Sequence, residues 1–145
     1  MNERTTTIGK LLEIWRYPVS SLAGERLELA RMDAGGLRGD RTHALFELQS
    51  GQMAYPSLMR KWNIAPALNA RTRDDSLIEL SHDRQQWFCE GETAFFDRLE
   101  GIIGTRVGLV RYGERVGSTV AERRYSMQPI HLLSRQSLAA KRKRC

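Results

Sequence analysis

Hydroxyl and guanidinium side chains occur near two glycine-bearing turns in the first third of the chain. Ser20 and Ser21 follow Pro18, whose fixed φ and missing N–H should end strand pairing and open a turn. Arg38 and Arg41 lie in a later segment whose glycines permit positive φ. Hydroxyls, guanidiniums and backbone N–H groups are the donors that bind a phosphate. If the two turns meet at one end of a sheet, these four side chains predict a shallow phosphate pocket.

Other signatures of catalysis are missing from the sequence. His43, His82 and His131 lie far apart along the chain, and none has an acidic residue at catalytic spacing. No phosphate loop, dinucleotide fingerprint, nucleophile elbow or zinc-ligand spacing occurs. Cys89 lies in an apolar run, where a thiol is usually buried and inert, and one further cysteine cannot make a disulfide framework. The sequence therefore predicts a binding module that does not act as an enzyme alone.

The elements that must position the four side chains are predicted to be mainly β. Apolar alternation and β-branched residues predict strands at 8–17, 26–32 and 41–48. A glycine-containing turn at 49–52 should lead into a short paired segment at 53–55. A further strand at 63–71 is interrupted by proline, which places it at an edge or a bend.

The second half of the predicted domain contains a hairpin, a helix and a closing strand. The segments 77–81 and 86–89 flank a polar turn and predict the hairpin. Apolar residues at helical spacing predict an amphipathic helix over 93–103, capped by Thr93 and ended by Gly104. Clean alternation over 105–111 predicts the closing strand. The fold class is therefore mainly β, a small closed or partly open β-barrel with one amphipathic helix and a C-terminal stub.

The order of these motifs resembles a known family. Y-P-V-x-S, a short turn and a strand, followed by G-L-x-G-D-R before an aromatic strand, is similar to the N-terminal β-barrel of the MOSC proteins, the molybdenum cofactor sulfurase C-terminal family. Later, P-I-H-L-L-S and S-L-A-A resemble the start of the MOSC domain itself. The two matches occur in the family's order and together cover most of the chain.

The resemblance implies a role in holding the phosphate of the molybdenum cofactor, molybdopterin. It assigns the contacts to Ser20, Ser21 and Arg41, with Arg38 as a weaker candidate. Relatives often carry lysine at position 20, so serine there removes a positive charge and should weaken anion binding. A purely structural interpretation stays open, in which Asp40 and Arg41 form a local ion pair that fixes the glycine turn and the serines are turn residues.

The resemblance also divides the chain into three parts. Residues 1–112 are expected to form the MOSC-like barrel, 113–128 a linker, and 129–145 the truncated start of a MOSC-like domain with a basic tail. Cys145 lies in the wrong context to be the family's molybdenum-binding cysteine. The expected partner is a separate MOSC-domain protein or molybdoenzyme, and an unpaired strand at 130–134 could instead pair across a homodimer.

Length and charge limit the remaining alternatives. The chain of 145 residues suits one domain, and its composition of 41% hydrophobic and 28% charged residues is ordinary for a soluble protein. Neither a signal sequence nor a membrane-spanning run is visible, so a cytoplasmic location is expected. Four of the six net positive charges belong to 141–144, which predicts weak, salt-sensitive adhesion to polyanions and no specific nucleic-acid recognition. A non-catalytic protein-interaction barrel with a decayed ligand site remains the main alternative function.

Overall fold

The computed structural model describes residues 6–74, 76–123 and 130–142, and these residues form a mainly β structure. The strands are short because turns interrupt the chain every few residues. They are β1 (Ile14–Arg16), β2 (Val19–Ser20), β3 (Glu25–Leu27), β4 (Met32–Asp33), β5 (Gly36–Leu37), β6 (His43–Glu47), β7 (Asn69–Arg73), β8 (Leu77–Ser81), β9 (Phe88–Cys89), β10 (Val107–Arg111), β11 (Arg115–Val116) and β12 (Thr119–Val120). The helices are α1 (Thr93–Ile103) and α2 (Arg135–Arg142), with 3-10 turns at Arg60–Trp62 and Ala65–Ala67.

The strands pair into separate small sheets. Two sheets have three strands, in the orders β10-β6-β2 and β7-β8-β9, and the others are the pairs β1-β3, β4-β5 and β11-β12. All pairs are antiparallel except β2 with β6, which run parallel with Val19 beside His43. Within the described residues the sheets do not close into one ring, so the mainly β prediction is confirmed in its partly open form.

Strand β6 is buried on both of its faces. Leu45 is fully buried in the main core, whereas its neighbour Ala44 belongs to a second, smaller core with Met53, Val110 and Ala121. Successive side chains of a strand point to opposite faces, so both layers use the same strand. The main core contains large apolar side chains from all parts of the domain, among them Val19, Trp62, Leu68, Ile78, Leu80, Phe95 and Leu99.

Helix α1 and the β8–β9 hairpin confirm the predictions for this part of the chain. Phe95 and Leu99 are fully buried, and Gly104 ends the helix in the left-handed conformation with φ of 80°. The predicted cap at Thr93 is wrong, because Glu92 is the N-cap residue and makes no side-chain capping bond. The predicted closing strand is confirmed as β10, which begins at Val107.

Three other predicted strands differ from the structure. The run 8–17 pairs only in β1, and Ile8 is almost completely exposed. The run 26–32 is divided between β3 and β4. The alternation of charged and apolar residues continues past Leu27, but the chain turns away from its partner β1 there. At 63–71, Pro66 lies in the first turn of a 3-10 helix, where its missing N–H costs nothing, and only β7 follows as a strand.

The segment after β10 also differs from its prediction. Where a linker was expected, β11 and β12 form a hairpin in which Arg115 pairs with Val120. Residues 130–134 form no strand, and helix α2 follows them from Arg135. Pro129, Cys145 and the end of the basic tail lie outside the described residues. In the described part of the chain no helix has the length and apolar character needed to cross a bilayer.

Candidate functional site

The turn after Pro18 and the turn before Arg41 meet, which is the condition that the sequence analysis set for a shared pocket. The Arg41 N–H donates to the Tyr17 carbonyl at 2.7 Å, and the Tyr17 N–H donates to Asp40 Oδ1 at 2.7 Å. The Thr42 N–H donates to the Pro18 carbonyl at 3.0 Å, and the parallel β2–β6 pairing follows directly. We call this set of contacts the Tyr17–Arg41 junction, and it fixes where both turns present their side chains.

Two of the candidate residues adopt a backbone conformation that is rare for residues with a side chain. Ser21 has φ of 72° and Arg41 has φ of 48°. Non-glycine residues in such conformations cost about 1–3 kcal/mol each and persist where the surroundings determine them. At Gly39, φ is 80° and an added Cβ would lie 3.2 Å from Arg16 Nη1, so glycine suits this turn. The junction therefore retains strained backbone at two candidate positions.

The Arg41 side chain takes part in the junction. Its Nε donates to Asp40 Oδ2 at 2.6 Å, while the other Asp40 oxygen accepts from Tyr17. This geometry is the local ion pair of the structural interpretation. A guanidinium has five N–H donors, so the pair leaves donors on Arg41 for a further acceptor. The adjacent Asp40 carboxylate partly offsets the positive charge that an anion would meet.

Ser20 lies at the other end of the β2–β6 pairing. Its Oγ accepts a hydrogen bond from the Tyr112 hydroxyl at 3.0 Å, and a hydroxyl that accepts one bond keeps its own proton to donate. Ser20 pairs with Ala44, whereas Arg41 lies in the turn that precedes β6, so the two residues come from different ends of this pairing. A phosphate shared by both side chains would have to lie between the turn and the strand.

Arg38 belongs to a different place on the surface. It lines a cavity of about 280 Å³ together with Arg16, Leu27, Leu29, Ala30 and Arg31. Its carbonyl accepts a hydrogen bond from Arg16 Nη1 at 3.3 Å. Ser20, Ser21 and Arg41 do not line this cavity. The structure thus separates Arg38 from the other three candidates.

A polar cluster around His43 was missed by the sequence analysis. His43 Nδ1 lies 2.8 Å from Thr42 Oγ1, and its Nε2 lies 4.0 Å from Glu90 Oε2. Burial lowers the pKa of His43, the Arg111 charge lowers it further, and Glu114 opposes both effects. The imidazole is therefore neutral near pH 7, and at 4.0 Å Glu90 makes no direct hydrogen bond with it. Glu90 lies far along the chain, so no local pattern pointed to this pair.

The comparisons with known proteins add no relative. No protein-family model matches the chain, and neither a curated protein nor a solved structure matches it. Within residues 6–74, 76–123 and 130–142, no three side chains of the metal-ligating types lie close enough to hold a metal ion. The resemblance to the MOSC family therefore stays a prediction that rests on its motif residues.

Proposed function

We propose that this chain is an accessory β-module of the MOSC type that binds the phosphate of the molybdenum cofactor and does not turn over substrate alone. The observation that carries the proposal is the Tyr17–Arg41 junction, which joins the two motif segments. The motifs Y-P-V-x-S and G-L-x-G-D-R are far apart in sequence but contribute neighbouring turns. That arrangement is what a phosphate contacted by both motifs requires.

The donor chemistry at the junction fits a phosphate. The remaining guanidinium donors of Arg41 supply charge-assisted bonds, and the hydroxyls of Ser20 and Ser21 supply neutral ones. Tyr112 orients the Ser20 hydroxyl by donating to its oxygen. When bound, the cofactor would supply the redox or sulfur-carrying centre, whereas these residues bind and orient its phosphate. With one partly neutralised guanidinium and no lysine at position 20, we expect weak binding by this chain alone.

A second candidate function, a non-catalytic protein-interaction module, is favoured by exposed apolar side chains near both ends of the described chain. Ile8 is 99% exposed and Leu132 is 85% exposed, and Leu11, Leu133 and Leu138 are also exposed. Such side chains close together in one surface would mark a contact with another protein. The expected partner is a MOSC-domain protein or a molybdoenzyme in the cytoplasm, with a second copy of the chain as the alternative.

The test is a heteronuclear NMR titration of the intact chain with inorganic phosphate and with a pterin phosphate. We expect saturable shifts of the Ser20, Ser21 and Arg41 amides, larger for the pterin phosphate. Ser20→Ala and Arg41→Gln should each weaken binding, whereas Arg106→Gln on the exposed surface should not. Because Arg41 also pairs with Asp40, Ser20→Ala tests the site without removing that ion pair.

Two outcomes would decide against cofactor binding. The first is the absence of saturable shifts at these amides at millimolar ligand. The second is equal loss of binding in Arg106→Gln, which would indicate general attraction of anions by a basic chain. Either result would leave the protein-interaction function as the better explanation.

A further inference from the structure

The β4–β5 hairpin places two arginines directly opposite each other. Met32 pairs with Leu37. One position further from the turn, Arg31 lies opposite Arg38, and the Arg38 N–H donates to the Arg31 carbonyl at 2.9 Å. Residues opposite each other in an antiparallel pair point to the same face, and like charges there destabilise the pair. Neither guanidinium has an ion-pair partner among the described residues. The hairpin therefore carries a repulsion that a bound anion would relieve.

A third arginine is fixed beneath the hairpin. The Arg16 side chain is 9% exposed, and its Nε donates to Glu25 Oε1 at 2.9 Å. Glu25 Oε1 also accepts the Thr72 N–H at 3.0 Å, so the carboxylate is held from two sides. Arg16 Nη1 donates to the Arg38 carbonyl, which fixes the backbone of the hairpin against the sheet. This buried, doubly anchored pair gives the cavity a rigid floor.

The cavity between these arginines has a polar part and an apolar part. Its volume is about 280 Å³, and Leu27, Leu29 and Ala30 line it beside the three guanidiniums. No acidic side chain is among the described residues that line it. The nearby Asp33 carboxylate accepts a hydrogen bond from the Gly35 N–H at the hairpin turn. Small-molecule sites have volumes of about 300–1,000 Å³, and this cavity lies just below that range, so it suits only a small ligand.

We infer that this cavity, the arginine pocket of Arg16, Arg31 and Arg38, binds a small phosphate monoester whose apolar body lies against Leu27 and Leu29. The guanidiniums of Arg31 and Arg38 contact the phosphate, since guanidinium geometry matches phosphate oxygens bidentately. Arg16 positions the backbone of Arg38 through its hydrogen bond to the Arg38 carbonyl, while its own charge is largely offset by Glu25. The site is separate from the Tyr17–Arg41 junction and does not depend on the function proposed there.

The experiment is an NMR titration of the intact chain with phenyl phosphate and, separately, with inorganic phosphate. We expect both to shift the Leu29, Ala30, Arg31 and Arg38 amides, with tighter binding of phenyl phosphate because its ring covers the leucines. Arg31→Gln and Arg38→Gln should each raise the dissociation constant about tenfold, the loss expected for one charge-assisted bond at an exposed site. Arg98→Gln, an exposed arginine of α1, is the matched control and should bind like the wild type.

Thermal unfolding of the same variants gives a second, independent measure. Without ligand, Arg31→Gln and Arg38→Gln should melt at a higher temperature than wild type, because the repulsion across the hairpin is gone. Phenyl phosphate should then raise the melting temperature of the wild type and of Arg98→Gln but barely change that of the two pocket variants.

Several results would overturn the inference. The first is wild-type affinity for phenyl phosphate in both pocket variants, and the second is a loss of affinity in Arg98→Gln as large as in those variants. The third is equal affinity of the wild type for phenyl phosphate and inorganic phosphate. The fourth is displacement of phenyl phosphate by a short oligonucleotide at a concentration below that of phenyl phosphate itself. Shifts at Ser20 and Ser21 report on the proposed cofactor site, and shifts at Leu29 and Ala30 report on this pocket. The two proposals can therefore fail separately.

Discussion

His43 lies where the Tyr17–Arg41 junction meets the sheet of β6. Its ring contacts Thr42 Oγ1, which lies 3.3 Å from the Pro18 carbonyl, and its other nitrogen faces Glu90. Burial is the largest cause that lowers the pKa of His43 below its ordinary value of 6.5, and Arg111 adds to it. A neutral imidazole therefore belongs to the folded state, and protonation opposes folding.

The sign of the resulting pH dependence follows from linkage. As pH falls through 6.5, the unfolded chain takes up the proton first because its histidine has the higher pKa. The stabilisation from neutral His43 is thus complete above about pH 6.5 and is lost as pH falls through the lower, folded-state pKa. We predict that His43→Asn reduces the fall in unfolding free energy between pH 7 and pH 5, measured by urea denaturation.

The control for this prediction is His131→Asn, since His131 is exposed. That variant should keep the wild-type slope of stability against pH. An unchanged slope in His43→Asn would contradict the prediction. His82 has a pKa lowered by burial as well, so part of the slope should remain in the His43 variant.

For single residues, the sequence predicts only contacts between neighbours along the chain. The Asp40–Arg41 pair could be foreseen because the two residues are adjacent and follow a glycine. The contacts of Ser20 with Tyr112 and of His43 with Glu90 could not, because each joins residues from distant segments. The separation of Arg38 from Arg41 was also missed, since it depends on which way the β4–β5 hairpin folds.

Helix α1 shows how local signals determine an element. Its apolar spacing and terminal glycine predicted both bounds, because helix periodicity and C-capping depend on residues within a few positions. The β8–β9 hairpin was predicted for the same reason. The strands 8–17 and 26–32 were predicted too long, because a strand's length depends on a partner elsewhere in the chain. β11 and β12 were missed, since two-residue strands carry almost no periodic signal.

Gly101 within α1 and Gly104 just after its end should respond to alanine in opposite directions. Gly104 has φ of 80° and open space where a Cβ would go, so Gly104→Ala incurs only backbone strain, about 1–2 kcal/mol of lost stability. Gly101 lies within the helix with equally open space, so Gly101→Ala should stabilise by about 0.5–1 kcal/mol. Urea unfolding of both variants measures this, and changes of the same sign would contradict the helix end described here.

For the whole molecule, β6 is the strand that connects the two cores. Leu45 is fully buried in the main core, and truncating such a side chain costs transfer free energy and leaves a cavity. We predict that Leu45→Ala lowers the free energy of unfolding by about 3 kcal/mol. Chemical denaturation monitored by tryptophan fluorescence measures this loss, since Trp62 is buried in the same core.

The matched control is Leu58→Ala, because Leu58 is 76% exposed. Exposed substitutions away from special features usually change stability by less than about 0.5 kcal/mol. Similar losses in the two leucine variants would mean that Leu58 is covered in solution, by another copy of the chain or by a partner.

The pairing of β6 also affects how the chain reaches its native state. β10 pairs with β6 from about sixty residues further along the chain, whereas β7 pairs with β8 across a short turn. Closing a long loop costs conformational entropy before any contact repays it, so the hairpin and α1 should form early and the β6 sheet last. Residues 52–54 pair with one edge of β6 across a short turn, but until β10 arrives the other edge and the apolar faces stay open to other chains. Refolding yield should therefore fall as protein concentration rises, and dilution should favour the native fold over aggregation.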